Sequence, residues 1–240
     1  MKNPVLYRRS FTLIELLVVV ALTAILLAML MPALKSVKNQ AKSVNCVSNL
    51  RQCGAAAHLY MNEWNGLLLR YQWDGALDIT WYKSLMRGSY LPTNSVSLCP
   101  AWTPYKRSAG ESSSDIAYFT YGTRWIVPAE YQLFTIASPN QWSYTKASEV
   151  RDPANYPIYG DSLGVGTVFP AMLGKQTHDF YNSNTPEGLL HLRHAGKANL
   201  WFLDGHVEAC GPNRIVEVLR DGGTPIEVAD PKGTVIQIAP

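Results

Sequence analysis

Charge is scarce in this 240-residue chain: only 16% of its residues are Asp, Glu, Lys or Arg. That is too few for a solvated coiled coil, and with 47% hydrophobic and 11% aromatic residues the chain is not a disordered one. It also lacks a basic excess on its body. The formal net charge of +3 is accounted for by Lys2, Arg8 and Arg9, with no acid among the first ten residues; without those three, 18 basic groups face 18 acidic ones. No nucleic-acid partner is expected, because a phosphate-binding surface needs basic residues in excess on the folded part. There is no phosphate loop, no dinucleotide glycine pattern and no G-x-S-x-G nucleophile turn. The length excludes several full domains.

What the chain has instead is one long apolar run. From Leu16 to Leu34 the only polar side chain is Thr23. A helix of that length measures about 28 Å at about 1.5 Å per residue, close to the hydrocarbon thickness of a bilayer. A core helix is rarely apolar on all faces over such a length. A secretory signal would have a shorter apolar stretch and a small-x-small cleavage site, neither of which is present. The flanking cations leave orientation open, since Lys2, Arg8 and Arg9 precede the span and Lys35, Lys38 and Lys42 follow it. Two residues do not suit a plain anchor. Glu15 places a carboxylate near the start of the run; an acid deep in hydrocarbon costs roughly 2.5–3.5 kcal/mol, and near an interface the cost is smaller but still unfavourable. Pro32 removes a backbone hydrogen bond and crowds the carbonyl of Ala28, so a kink is expected there.

Ser10-Phe11-Thr12-Leu13-Ile14-Glu15, after a short basic leader and before the apolar helix, resembles the processing signal of type IV pilins and type II secretion pseudopilins. The resemblance implies that a prepilin peptidase cuts between Ser10 and Phe11 on the cytoplasmic side and N-methylates Phe11. Ser10 stands where the family usually has Gly. It implies a leader over 1–10, an inner-membrane anchor with its N-terminus in the cytoplasm, and a head that is periplasmic or extracellular. The amine of a processed Phe11 would offer Glu15 of a neighbouring subunit a cation at the same depth, and pairing would neutralise both. Subunits of this kind assemble with other pilins on an inner-membrane platform.

The helix is expected to continue to Trp64, giving roughly 80 Å from Phe11. Cys46, Leu50, Cys53, Ala57, Tyr60 and Trp64 recur every three or four residues and form one stripe, with Lys38, Lys42, Asn45, Asn49, Arg51 and Asn62 opposite. Asn65-Gly66 is the stop. The organisation predicted is a leader over 1–10, a membrane half of the helix over 11–34, an amphipathic half over 35–65 and an α+β head over 66–240, built on a small antiparallel sheet. Residues 116–127, 156–161 and 198–209 read as strands, with 235–239 as a further one; 66–115 reads as short helices and loops.

Asp204-Gly205 between two apolar runs predicts a hairpin with a two-residue loop, pairing Leu203 with His206, Phe202 with Val207, Trp201 with Glu208 and Leu200 with Ala209. His194, nine residues, then Asp204-Gly205 is similar to the His-x9-Asp-Gly signature near the C-terminal end of a large pilin-like family. Arg193, Gly196, Asn199, Phe202, His206 and Val207 match its surroundings. Cys46 to Gln52, Cys99-Pro100, Asp152-Pro153 and Gly160-Asp161-Ser162 also look like that family.

His191, His194, His206, Asp161, Asp179 and Asp204 are the residues from which a metal or catalytic site could be drawn. Three His and a carboxylate suit zinc, and Asp161 with Asp204 and backbone carbonyls could form the calcium site that some major pseudopilins carry. His191-x-x-His194 lacks the metalloprotease spacing, and no loop has a dense run of acids. The reading taken is hydrogen bonding of His194 and His206 to the hairpin turn, with no cofactor and no enzyme activity. Cys46, Cys53, Cys99 and Cys210 allow three full pairings. Cys46 and Cys53, about 10.5 Å apart along a helix, cannot join each other. Bridges from the helix to Cys99 or Cys210, or small buried thiols, are the alternatives. Two functions follow: a filament subunit for secretion or a pilus, or a membrane-tethered binding or enzymatic domain borrowing the same anchor. Glu15 separates them, since a simple tether gains nothing from an acid at that depth.

Overall fold

The apolar run and the amphipathic stretch after it form one helix. In the computed structural model α1 spans Leu13–Glu63, 51 residues, and continues without interruption through Pro32. A helix ending at Pro32 is thereby excluded. The structure describes residues 12–73, 78–91, 94–102, 120–125, 127–137, 140–165, 173–181, 188–219 and 226–238. The expected cleavage point between Ser10 and Phe11 lies outside them, as do residues 116–119 and 126 of the expected strand over 116–127.

Both ends of α1 are set locally. Glu15 accepts hydrogen bonds from the Thr12 backbone N–H (2.9 Å) and hydroxyl (2.8 Å), while the Thr12 oxygen accepts the Glu15 N–H at 3.2 Å. This is a reciprocal capping box, which satisfies two of the donors a helix start leaves unpaired. At the other end Asn65 and Gly66 take φ of 52° and 76°. The Gly66 N–H returns to the Met61 carbonyl at 2.8 Å, a Schellman-type closure.

The chain divides into two compact units, residues 1–40 and 41–240. In the first, every described residue is exposed, and this part of α1 is long and apolar enough to cross a membrane. In the second, α1 buries Cys46, Leu50, Cys53, Gly54, Ala56, Ala57, Tyr60 and Met61. The expected stripe is therefore present up to Tyr60. Trp64 departs from it: it is 51% exposed and stacks on Tyr60 with centroids 5.5 Å apart, because the helix has already closed at Glu63.

The second unit is more elaborate than a small antiparallel sheet. Its further elements are β1 (Leu67–Trp73), β2 (Asp78–Thr80), α2 (Trp81–Arg87), β3 (Gly122–Arg124), β4 (Gln132–Ala137), β5 (Asn140–Lys146), β6 (Pro157–Gly160), β7 (Ser162–Gly164), β8 (Asp179–Phe180), β9 (Gly188–His191), β10 (Ala198–Phe202), β11 (Val207–Cys210), α3 (Pro212–Leu219), β12 (Ile226–Ala229) and β13 (Val235–Ile238). Among the described residues these make three sheets, ordered β2-β1-β5-β4, β11-β10-β6-β3-β8 and β13-β12-β9-β7. Two pairings, β3 with β8 and β12 with β9, are parallel. The strand β1 lies where short helices and loops were expected: Leu68 and Leu69 are buried in the helix-side core, and β1 pairs along its length with β5.

Strand β10 is buried on both faces, and four of its five residues are apolar, Asn199 being the exception. Ala198, Leu200 and Phe202 face a core with Ile215, Val218 and Leu219 of α3. Trp201 and the following Leu203 face the core containing Cys53, Ala57 and Tyr60 of α1. The hairpin forms, but in a register one residue off the expected one. Trp201 pairs with Val207, Leu200 with Glu208, Asn199 with Ala209 and Ala198 with Cys210. The loop is longer because the Phe202 N–H bonds the His206 carbonyl and the Gly205 N–H bonds the Phe202 carbonyl, both at 2.9 Å. The Asp204 carboxylate caps it by accepting the His206 N–H at 3.1 Å.

Candidate metal centre

Four segments distant in sequence bring a thiol, a second thiol, a carboxylate and an imidazole to one point. Cys46 comes from the buried face of α1. Cys99 follows the short helical turn Asn94–Ser97. It is anchored by Gln176, whose Oε1 accepts the Cys99 N–H at 2.8 Å and whose Nε2 donates to the Cys99 carbonyl at 3.0 Å. Asp161 sits where the chain leaves β6 and enters β7 in another sheet. Its N–H bonds the Asn199 carbonyl at 3.1 Å, its carbonyl accepts the His191 N–H at 2.9 Å, and its Oδ2 accepts the Asn199 N–H at 2.8 Å. His194 stands before the tight turn that joins β9 to β10. Ala195 and Gly196 there have φ of 53° and 80°, the geometry of a type I′ turn, closed by hydrogen bonds between His194 and Lys197.

The donor atoms of Cys46, Cys99, Asp161 and His194 all lie within 4.8 Å of one another. Cys46 Sγ is 3.4 Å from Asp161 Oδ1, Cys99 Sγ is 3.2 Å from His194 Nε2, and His194 Nε2 is 3.4 Å from Asp161 Oδ2. Around them, the Tyr121 hydroxyl is 3.3 Å from Cys46 Sγ, and Arg193 Nε is 3.8 Å from Asp161 Oδ1. Cys46, Cys99 and Asp161 have no exposed surface and His194 retains only 9%.

Burial dominates the electrostatics. Loss of solvent pushes the Asp161 carboxyl up to about 7, with the Cys99 charge adding to it and Arg193 and His194 opposing it. Burial likewise drives the Cys46 thiol well above its ordinary range, helped by Cys99 and Asp161. At Cys99 burial also acts upward, but hydrogen bonds from Cys46 and His194 and the Arg193 charge outweigh it and hold this thiol well below its usual value. His194 is raised in spite of burial, through its hydrogen bond to Cys99 and the Asp161 charge. The thiol and imidazole thus resemble an activated nucleophile pair, but one that is buried with Cys46 and Asp161. The arrangement suits a held ion or a hydrogen-bonded clamp better than turnover.

The residues singled out in the sequence are distributed differently from expectation. Asp161 and His194 meet here. Asp204 and His206 meet each other in the exposed hairpin turn, with Asp204 Oδ1 2.6 Å from His206 Nδ1 and the His206 ring stacked on Phe202 at 4.4 Å. The set Asp161, Asp204, His194 and His206 therefore does not form one site. His206 bonds its turn as expected; His194 does not, because it belongs to a different turn and points to Cys99 and Asp161. His191 is buried edge-on against Trp102 at 4.3 Å and pushed down to about 3 by burial, and Asp179 Oδ1 takes the Thr177 hydroxyl at 3.4 Å. All four cysteines are free and buried. No bridge joins Cys46 or Cys53 to Cys99 or Cys210: Cys53 Sγ meets the Val96 carbonyl at 3.4 Å and Cys210 Sγ the Glu208 carbonyl at 3.8 Å. Cys46 and Cys99 are the functional candidates missed as ligands, since their partners stand 115 and 95 residues away.

No curated protein and no solved structure matches the chain. Residues 6–31 match the family described as the prokaryotic N-terminal methylation motif, so this α+β chain carries, ahead of its head, the segment that marks prepilin-peptidase-processed, pilin-like proteins.

Proposed function

We propose that the chain is a structural subunit that a prepilin peptidase cuts between Ser10 and Phe11 and methylates on Phe11. It then assembles through its N-terminal helix with other pilin or pseudopilin subunits, on an inner-membrane assembly platform, into a type II secretion pseudopilus or a type IV pilus-like filament that supports protein secretion. The anchor is single-pass, with a cytoplasmic N-terminus and a periplasmic or extracellular head. The observation that carries this reading is the match over residues 6–31 on an apolar helical segment without a buried residue. Such a surface needs lipid or neighbouring helices to cover it.

Glu15 requires a more discriminating test than removal. Its capping box with Thr12 would stabilise the helix start of any tether, so the acid alone does not separate a filament subunit from an anchor. Glu15→Gln keeps a capping side chain and deletes the charge. The expected result is normal membrane insertion, a methylated Phe11 by mass spectrometry of the mature N-terminus, and loss of filament incorporation. An intact Met1 leader in a host with the peptidase, or incorporation equal to wild type, would overturn the reading. The second reading, a tethered metal-dependent enzyme, draws on the Cys–Asp–His cluster, but the burial of all four side chains favours a structural use.

A further inference from the structure

We propose that Cys46, Cys99, Asp161 and His194 form a structural zinc site that clamps the head to the helix α1. Four donors around a tetrahedral zinc with bonds of about 2.0–2.3 Å stand about 3.3–3.8 Å apart along the tetrahedron's edges. Three of the donor contacts, 3.2, 3.4 and 3.4 Å, lie at or just below the short end of that range, and no pair exceeds 4.8 Å. A modest relaxation of side chains, with no backbone rearrangement, admits the ion.

The donor chemistry points to zinc and away from harder cations. Two thiolates and an imidazole are soft or borderline ligands, whereas calcium and magnesium take oxygen throughout. The charge also balances. Two thiolates and a carboxylate carry −3; a divalent ion and the guanidinium of Arg193, with its Nε 3.8 Å from Asp161, return this to zero. Without the ion, the same buried groups must keep their protons or leave charge uncompensated.

A carboxylate ligand's second oxygen is commonly tied to a fixed donor. Here the Asn199 N–H holds Asp161 Oδ2 at 2.8 Å, while Tyr121 sets Cys46 at 3.3 Å and Gln176 fixes the Cys99 backbone on both sides. Full coordination by protein leaves no open position, as in structural rather than catalytic zinc sites. The ion would join α1, the segment after Ser97, the β6–β7 junction and the β9–β10 turn, four places with little local reason to stay together.

The zinc proposal does not depend on filament assembly, and the two fail separately. Full-length protein is purified in detergent without chelators and its metals are measured by elemental analysis. The expected content is about one zinc per chain. Differential alkylation of this wild-type protein should leave Cys46 and Cys99 unmodified until a strong chelator is added. Cys53 and Cys210 should show no chelator dependence. Cobalt loading should give thiolate charge-transfer absorption that disappears on chelation. Asp161→Asn, which keeps an oxygen for the Asn199 N–H, should retain most of the head's structure and lose most of the bound zinc; Cys210→Ser should keep it. A Cys46–Cys99 disulfide in the purified protein, two free thiols without metal, or a different metal at the same stoichiometry would each overturn the zinc assignment.

Discussion

The two halves of α1 have the same backbone and opposite fates. From Leu13 to Gln40 leucine, valine, isoleucine and methionine are exposed, Leu13 at 85% and Met29 at 72%. From Ala41 to Glu63 the buried positions are mostly small or polar-tipped: Cys46, Cys53, Gly54, Ala56, Ala57 and Tyr60. Hydrophobicity therefore does not decide which half is covered by this chain. Large aliphatic side chains on all faces suit a surrounding that is itself apolar and shapeless. Small residues on one face let a sheet approach closely. Gly54 shows the limit: a Cβ there would stand 2.0 Å from Trp201 Nε1.

The largest effect that would break this contrast is expected at Gly54. On an isolated helix Gly→Ala is favourable by about 1 kcal/mol. Here the added methyl overpacks Trp201, and Gly54→Ala should destabilise the head by about 1–3 kcal/mol, read as a lowered denaturation midpoint. The reverse change at an exposed position, Ala28→Gly, should leave the head's midpoint unmoved.

A smaller effect concerns pH. His178 is buried and pushed down to about 4 by loss of solvent, so it is neutral when folded and takes a proton on unfolding. Its folded pKa lies below the unfolded value of about 6.5. Its contribution is therefore complete above that pH and is lost as the pH falls toward 4, by up to ~1.4 kcal/mol per unit. His191 acts in the same sense. Thermal melts of wild type and His178→Gln from pH 4 to 7 should converge at the acid end, with a shallower slope for the variant; parallel curves would refute the assignment.

The smallest effect belongs to the exposed half. Thr12→Ala opens the capping box at a cost of about 1 kcal/mol to the helix start and should leave the melting of the head unchanged. Compared with Glu15→Gln, it separates capping from charge. If both variants assemble equally poorly, the cap is needed as well as the charge; if only Glu15→Gln fails, the charge alone is.

Much of this was legible from local pattern. The apolar run, the Asn65-Gly66 stop, the stripe from Cys46 to Tyr60 and the Asp204-Gly205 turn are short-range signals, and each stands close to where the pattern put it. The hairpin register differs by one residue because the Phe202 N–H bonds the His206 carbonyl and the Gly205 N–H the Phe202 carbonyl, which close a loop longer than two residues. The strands β1, β4 and β5 went unread because their pairing partners are supplied by one another. The capping box is a local signal too, legible in Thr12-Leu13-Ile14-Glu15, since both of its hydrogen bonds join residues three apart.

The candidate centre marks the division most clearly. Residue order alone settles that an apolar helix begins the chain, where it stops and that a strand-rich head follows, because backbone propensity and periodicity act over a few neighbours. It also supplies two cysteines, an aspartate and a histidine at unrelated positions. Only the fold makes these four a set, by crossing from one sheet to the next at Asp161 and by resting the Cys46 face of α1 beside Cys99 and His194. Contacts spanning 95 and 115 residues leave no trace in spacing, since chain separation and distance in space are unrelated once a core has closed.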